Sequence, residues 1–304
     1  MAEDILRLAR LNKPEGPVDV VLDTDTFNEV DDQFALSYLV RSDDELNLKA
    51  IYAAPFYNYR VQSPAEGVEK SHQEIFNVLT LLKREDLKSV VYKGSDKFLP
   101  DEKTPVVSDA AEHLAKLAMN YTEEKPLYVI AIAAITNVAS AILLNPEIAS
   151  RIVVIWLGGQ ALEWPNNREF NCYQDVAAAR VVFDSGVALV QVPCMGVVSA
   201  FTTTRQELEY WIEGKNELCD YLCKMFLVEA TEMKRGKCAS KPIWDVTAVA
   251  WLLKGKFMDD RLEHIPIPEY DDKWGFDKNR PLMRYVYHIH RDNLMEDLFT
   301  KLAK

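Results

Sequence analysis

Short apolar runs alternate with amphipathic stretches through most of the chain. Val18–Leu22, Leu48–Ala54, Val90–Tyr92, Leu127–Ala133, Arg151–Leu157 and Val187–Val192 read as strands. Between them Gln33–Val40, Ala65–Leu82, Ala110–Met119 and Asp175–Phe183 read as helices; in the second of these, Val68, Ile75, Phe76, Leu79 and Leu82 recur at helical spacing. Mainly apolar strands separated by helices predict an α/β fold: a mainly parallel central sheet flanked by helices on both faces. After Ser199 the pattern changes. Thr204–Lys234 and Trp244–Leu253 read as largely helical, Tyr285–Ile289 as a late edge strand, and Asn293–Leu302 as a final helix. There are no repeats, no low-complexity tract and no visible linker, so residues 1–304 read as one domain. In open sheets of this kind ligands bind beyond the carboxyl ends of the strands, and chemistry is expected there.

Composition narrows the classes. With 304 residues and 48% hydrophobic positions, a large core is available. A net charge of -12 argues against a nucleic-acid partner, which needs basic surface to neutralise phosphates. The longest basic cluster, Lys234, Arg235 and Lys237, reads as a solvated face. Five cysteines, an odd count, suit a reducing compartment and hence a cytoplasmic location. Cys219 and Cys223 share a helix face and read as buried thiols, with a metal pair as the alternative. Met1–Arg10 lacks the apolar core of a secretory signal, and no apolar run is of membrane-spanning length, so no membrane association is expected. The sequon Asn120-Tyr121-Thr122 is accordingly expected to stay unmodified.

The first strand runs straight into Asp23-Thr24-Asp25-Thr26-Phe27-Asn28-Glu29-Val30-Asp31-Asp32. So many carboxylates at the mouth of a sheet repel one another, unless some are protonated or a cation holds them together. All-oxygen donors suit a hard cation, calcium or magnesium. Asp31 and Asp32 also stand at a helix start, where negative charge is favoured; a capped helix start is the plain alternative. No Gly-rich phosphate loop and no HExxH motif is present. His288 and His290 are expected on opposite faces of a strand, which disfavours joint ligation, and His72 and His113 read as structural. Residues 93–109, with Gly94, Pro100 and Pro105, read as a loop over the site.

The strand followed by Asp-x-Asp and an Asp-Asp pair resembles the inosine-uridine-type nucleoside hydrolase family. Three further stretches resemble it in the same order: Ala134-Ile135-Thr136-Asn137-Val138-Ala139, then Leu157-Gly158-Gly159 with Glu169-Phe170-Asn171, then Trp244-Asp245 opening a helix through Ala248 and Val249. Each is weak alone; four in order are specific, and they span roughly residues 18–250. The resemblance implies an open, Rossmann-like nucleoside hydrolase architecture and calcium as cofactor. It implies that Asp25 touches the metal and orients the attacking water, that Asp32 and Asp245 are calcium ligands, and that Thr136 donates a backbone carbonyl to the ion. Asp31, Glu169 and Asn171 are implied to hold ribose hydroxyls, with Asn58 and either Asn167 or its neighbour Asn166 as further substrate contacts. Trp244 stands where many members carry a histidine, and resembles the purine-preferring branch in which a tryptophan stacks on the base; the plain alternative is a core aromatic at a helix start. The turn departs from the family: five residues, Thr26–Val30, separate Asp25 from Asp31 where three are usual, and the family's Pro-Gly is missing.

The function implied is calcium-dependent hydrolysis of the N-glycosidic bond of ribonucleosides, in a homodimer or homotetramer by family habit. Two other readings stay open. One is a nucleoside- or sugar-binding protein without turnover, suggested by the enlarged turn and the missing histidine. The other is a haloacid-dehalogenase-type phosphatase, because Asp23-x-Asp25 follows a strand, although Phe27 and the nearby Asp31-Asp32 pair fit that class poorly.

Overall fold

The computed structural model describes residues 2–232 and 240–304; Lys234, Arg235, Lys237 and Cys238 lie outside the described residues. The chain begins with α1 (Ala2–Arg10), β1 (Val18–Thr24), α2 (Val30–Val40), β2 (Leu46–Ala53), α3 (Pro64–Leu81), β3 (Val91–Lys93) and α4 (Asp109–Leu117). It continues through β4 (Leu127–Ala131), α5 (Thr136–Leu144), β5 (Ile152–Leu157), α6 (Phe170–Gln174), α7 (Val176–Asp184) and β6 (Ala188–Val192). The last third carries β7 (Thr202–Thr203), α8 (Arg205–Trp211), α9 (Glu217–Glu232), β8 (Lys241–Pro242), α10 (Val246–Leu252) and β9 (Met258–His264). It ends with β10 (Ile267–Pro268), β11 (Trp274–Gly275), β12 (Leu282–Ile289) and α11 (Arg291–Leu302).

Eight strands form one sheet in the order β3-β2-β1-β4-β5-β6-β12-β9. All neighbours pair in parallel except β9, which runs antiparallel to β12. The expected α/β architecture is therefore observed. Alternate residues of each strand feed two cores. Val20 and Leu22 of β1, with Tyr128 and Ile130 of β4, pack against Phe34, Val78 and Trp251 on one face. Val21, Val129 and Ala131 pack with Leu114, Val138 and Phe183 on the other. Burial on both faces explains why these strands read as mainly apolar runs.

Two expectations for the last third are corrected. Tyr285–Ile289 belongs to a longer strand that lies between β6 and β9, not at the edge. The edge is β9, whose Asp259, Asp260, Arg261 and Glu263 hid it from a search for apolar runs; charge on an edge strand discourages pairing with other chains. His288, on β12, and His290, just past its end, lie on the same side, with ring centroids 5.0 Å apart. Residues 93–109 do form a loop, but it packs on the α5–α7 face through Leu99 N to Asp175 and Val106 N to Ser140. Cys219 and Cys223 are buried free thiols, and His113 stacks on Tyr92, both as expected. Among the described residues no helix is long and apolar enough to cross a membrane.

The strand order reverses direction between β1 and β4. At such a switch point the following loops turn to opposite faces and leave a crevice at the carboxyl ends. A cleft of about 170 Å³ opens there.

Candidate active site

The wide turn after β1 forms one wall. Asp23, Thr24, Asp25, Thr26, Asp31 and Asp32 are all buried. The turn is fixed almost residue by residue. The Thr24 hydroxyl donates to Asp32 at 2.5 Å and meets the Thr26 hydroxyl at 2.8 Å. The Phe27 N–H donates to Ser71, and the Asn28 N–H to the Asp25 carbonyl at 2.6 Å. The Asn28 side chain donates to Asp25 and accepts from Asn58 at 2.7 Å. Glu29 is the N-cap residue of α2 but makes no side-chain cap; its carboxylate turns to Lys241 at 2.8 Å. The Val30 N–H donates to Glu229 at 3.1 Å.

Asp245, immediately before α10, reaches this turn from far along the chain. One carboxylate oxygen from each of Asp31, Asp32 and Asp245 lies within 4.8 Å of the others. Asp25 stands within hydrogen-bonding reach of Asp32. Burial first, and like charge from Asp32, hold the Asp25 carboxyl well above the usual range; burial and Asp31 do the same to Asp32. Asp245 is raised by burial and by Asp31, Asp32 and Asp25. Asp31 is raised by burial, with Lys241 opposing, and its buried Oδ1 has no hydrogen-bond partner. A set of buried carboxylates this close together fits a hard divalent cation.

The other wall comes from the segment after β5. Gly159 has φ +72°, and a side chain there would run into Trp274 and Asn167, so glycine is required. Its N–H, with those of Asn171 and Cys172, donates to the Glu169 carboxylate. Burial pushes Glu169 up to about 7 against these three donors. Asn171 donates to the Leu157 carbonyl, and both line the cleft beside Phe170 and Arg168. Trp244, next to Asp245, also lines the cleft, and its buried indole N–H has no hydrogen-bond partner.

The cleft thus brings together Asp25, Asp31, Asp32, Glu169, Asn171, Trp244 and Asp245. Three expected residues are not on its wall. The Thr136 hydroxyl donates to Asp175 at 2.7 Å, while Asn137 donates to Asp23, so the Thr-Asn pair ties strand ends together. The residue that β4 sends to the wall is Ile132, four positions earlier. Asn167 accepts from the Gln160 N–H and donates to Cys172, which uses its amide to shape the loop. Asn58 does not line the cleft but donates to Asn28, which does. Sequence reasoning missed Asn28, Gln160, Arg168 and Cys194 on the wall, and Lys241 behind it. Ile132 was within reach, as the end of an apolar run at the sheet's mouth; a lone lysine in Lys241-Pro242-Ile243 carries no such mark.

A family model described as inosine-uridine preferring nucleoside hydrolase matches residues 20–296. The pyrimidine-specific ribonucleoside hydrolase RihA of Salmonella paratyphi B is 27% identical over 262 residues, which is 77% of this chain and 79% of that protein. Among solved structures, a purine-preferring ribonucleoside hydrolase from Gardnerella vaginalis superposes with a TM-score of 0.78 at 19% identity, over 94% of this chain and 98% of that one. A plant nucleoside hydrolase superposes with a TM-score of 0.76 at 18% identity, over 94% and 99%. At such identities the structural likeness speaks for the fold.

Proposed function

Because this chain belongs to the inosine-uridine preferring nucleoside hydrolase family, we propose that it hydrolyses ribonucleosides to free base and ribose at the cleft between β1 and β4, with calcium as cofactor. The observation that carries the assignment is the meeting of Asp245 with the Asp31–Asp32 turn in one buried cleft. Asp25, Asp31, Asp32 and Asp245 would hold the ion, with a backbone carbonyl from Ile132 in place of the one expected from Thr136. When bound, calcium supplies a Lewis acid that lowers the pKa of water and grips the ribose diol.

The chain's own groups then have distinct tasks. Asp25 takes the proton of the attacking water. Glu169 and Asn171, on the opposite wall, orient the ribose hydroxyls. The surrounding carboxylates stabilise positive charge that develops on the sugar as the C–N bond breaks. No histidine is found among the described residues lining the cleft. Trp244 stands at the base end, where its ring offers a stacking face and its free N–H a donor to the substrate. The broad indole favours a purine.

The test is product analysis with a panel of ribonucleosides and deoxyribonucleosides, with and without a chelator. Free base and ribose should appear from ribonucleosides, disappear on chelation, and be absent with Asp32→Ala. Intact nucleoside in every arm sinks the proposal. Phosphate release from nucleotides without free base would mark a phosphatase, and calorimetric binding without turnover a binding protein.

A further inference from the structure

We propose that Lys241 is a positioning residue that pins the Asp25–Asp31 turn from behind, and so sets both the ion-holding carboxylates and the ring of Trp244. This rests on reading the carboxylate cluster as an ion site. Lys241 lies on β8, which pairs with β7, and its side chain is fully buried. A lysine is almost never fully buried unless paired. Here three carboxylates surround its ammonium: Glu29 at 2.8 Å, Glu229 at 3.4 Å and Asp31 at 3.7 Å. Burial alone would drive the proton off; Asp31, Glu29 and Glu229 outweigh it and hold the pKa above the ordinary value. The group is therefore a fixed cation.

Its partners define what it holds. Glu29 lies within the five residues that separate Asp25 from Asp31, so the shortest of these contacts anchors the turn itself. Glu229 on α9 also accepts the Val30 N–H and pairs with Arg60, which links the ammonium to the first residue of α2. Asp31 follows directly and belongs to the group that would hold the ion. Its Oδ1, the atom 3.7 Å from the ammonium, has no hydrogen bond. The same ammonium lies 4.9 Å from the centre of the Trp244 ring. One buried cation thus contacts the turn, an ion-holding carboxylate and the aromatic that faces the base, without itself lining the cleft.

Simple electrostatics and positioning predict opposite effects. Removing a cation beside Asp31 strengthens the field that attracts calcium. Removing the anchor of a long turn moves Asp31 and Asp32 out of place. Lys241→Met, Lys241→Arg and Glu29→Gln should be made in the full chain. Calcium affinity is read by isothermal titration calorimetry, and turn mobility by deuterium uptake in the peptide covering residues 24–33. Lys241→Met should weaken calcium binding by about tenfold or more, the usual scale for losing a group that orients a ligand, and Lys241→Arg should restore it to within about threefold. Uptake in the turn peptide should rise in Lys241→Met while the peptides of β4 and β5 stay unchanged. Calcium bound as tightly as by the wild type, or more tightly, with unchanged uptake, overturns the proposal. If Lys241→Met does not fold, Glu29→Gln decides: weaker binding and faster uptake support the anchor, and wild-type values overturn it. If the wild type binds no calcium, the ion reading fails, and uptake in the turn peptide still judges Lys241 separately.

Discussion

Adding calcium to the chelated protein should raise its melting temperature markedly near pH 7.5, and by much less near pH 5. The ligand oxygens of Asp31, Asp32 and Asp245 lie within 4.8 Å of one another. At an effective dielectric near 20, one pair of full charges at that distance repels by about 3 kcal/mol, so three pairs approach roughly 10 kcal/mol. That is comparable to the whole stability of a folded chain, about 5–15 kcal/mol. Without a cation, the cluster must keep protons, and burial drives it the same way. The sign follows from linkage. These acids titrate above their ordinary value of 3.8 when folded, so the ion-free protein binds more protons than the unfolded chain above that pH. Its stability therefore falls as pH rises. Calcium must displace those protons, so its contribution grows over the same range. At a calcium concentration of about a thousand times Kd the stabilisation is about 4 kcal/mol, which at roughly 2 °C per kcal/mol for a chain of this size is about 8 °C. Differential scanning calorimetry in chelator and in millimolar calcium, at several pH values, measures it. A shift below about 2 °C near neutral pH, or a full shift retained in Asp245→Asn, refutes the reasoning.

Three further outcomes are expected. Trp244→Ala should raise KM for a purine ribonucleoside by about fivefold, corresponding to about 1 kcal/mol of stacking, and for a pyrimidine by less; equal effects on both would remove Trp244 from base recognition. In chelator, Glu169→Gln should flatten part of the pH dependence of urea unfolding. The buried carboxyl titrates near 7 when folded against an ordinary 4.5, so the wild type loses about 3 kcal/mol from this group as pH rises through that window, and a variant with the same slope would contradict it. Thr136→Val should cost about 1 kcal/mol of stability through the lost bond to Asp175, with calcium affinity unchanged in calorimetry; a large fall in affinity would return Thr136 to the ion site.

The part of the fold that makes the cleft was legible because its strands are buried on both faces. Val18–Leu22, apart from Asp19, and Leu127–Ala133 are apolar for that reason, and α3 and α4 between them carry apolar stripes. Legibility failed where one side of an element meets water. β9 reads as Met-Asp-Asp-Arg-Leu-Glu-His, a charged edge with no apolar run, and its absence from the reading left β12 at the wrong place in the sheet. The two-residue strands β10 and β11 are too short for any period to register, yet their hairpin sends Trp274 to the Gln160 carbonyl and Asp272 to Arg168, bracing the loop that carries Glu169.

The site divides along a similar line. Acids packed into one turn are visible as a local excess of charge, so Asp25, Asp31 and Asp32 stand out unaided. Asp245 and Glu169 are single acids in ordinary surroundings, and only the ordered resemblance placed them with the turn. Motif order says which segments meet, but not which atom of a segment faces the cleft. Thr136 and Asn167 sit inside the right segments, and both spend their side chains on the scaffold, while Ile132 and Arg168 beside them line the wall. Lys241 marks the limit of reading along the chain. Its importance comes from complete burial among Glu29, Glu229 and Asp31, and nothing in Lys241-Pro242-Ile243 distinguishes a caged ammonium from a solvated one. Five residues separate Asp25 from Asp31, and one of them, Glu29, is held by a lysine on a strand more than two hundred residues away.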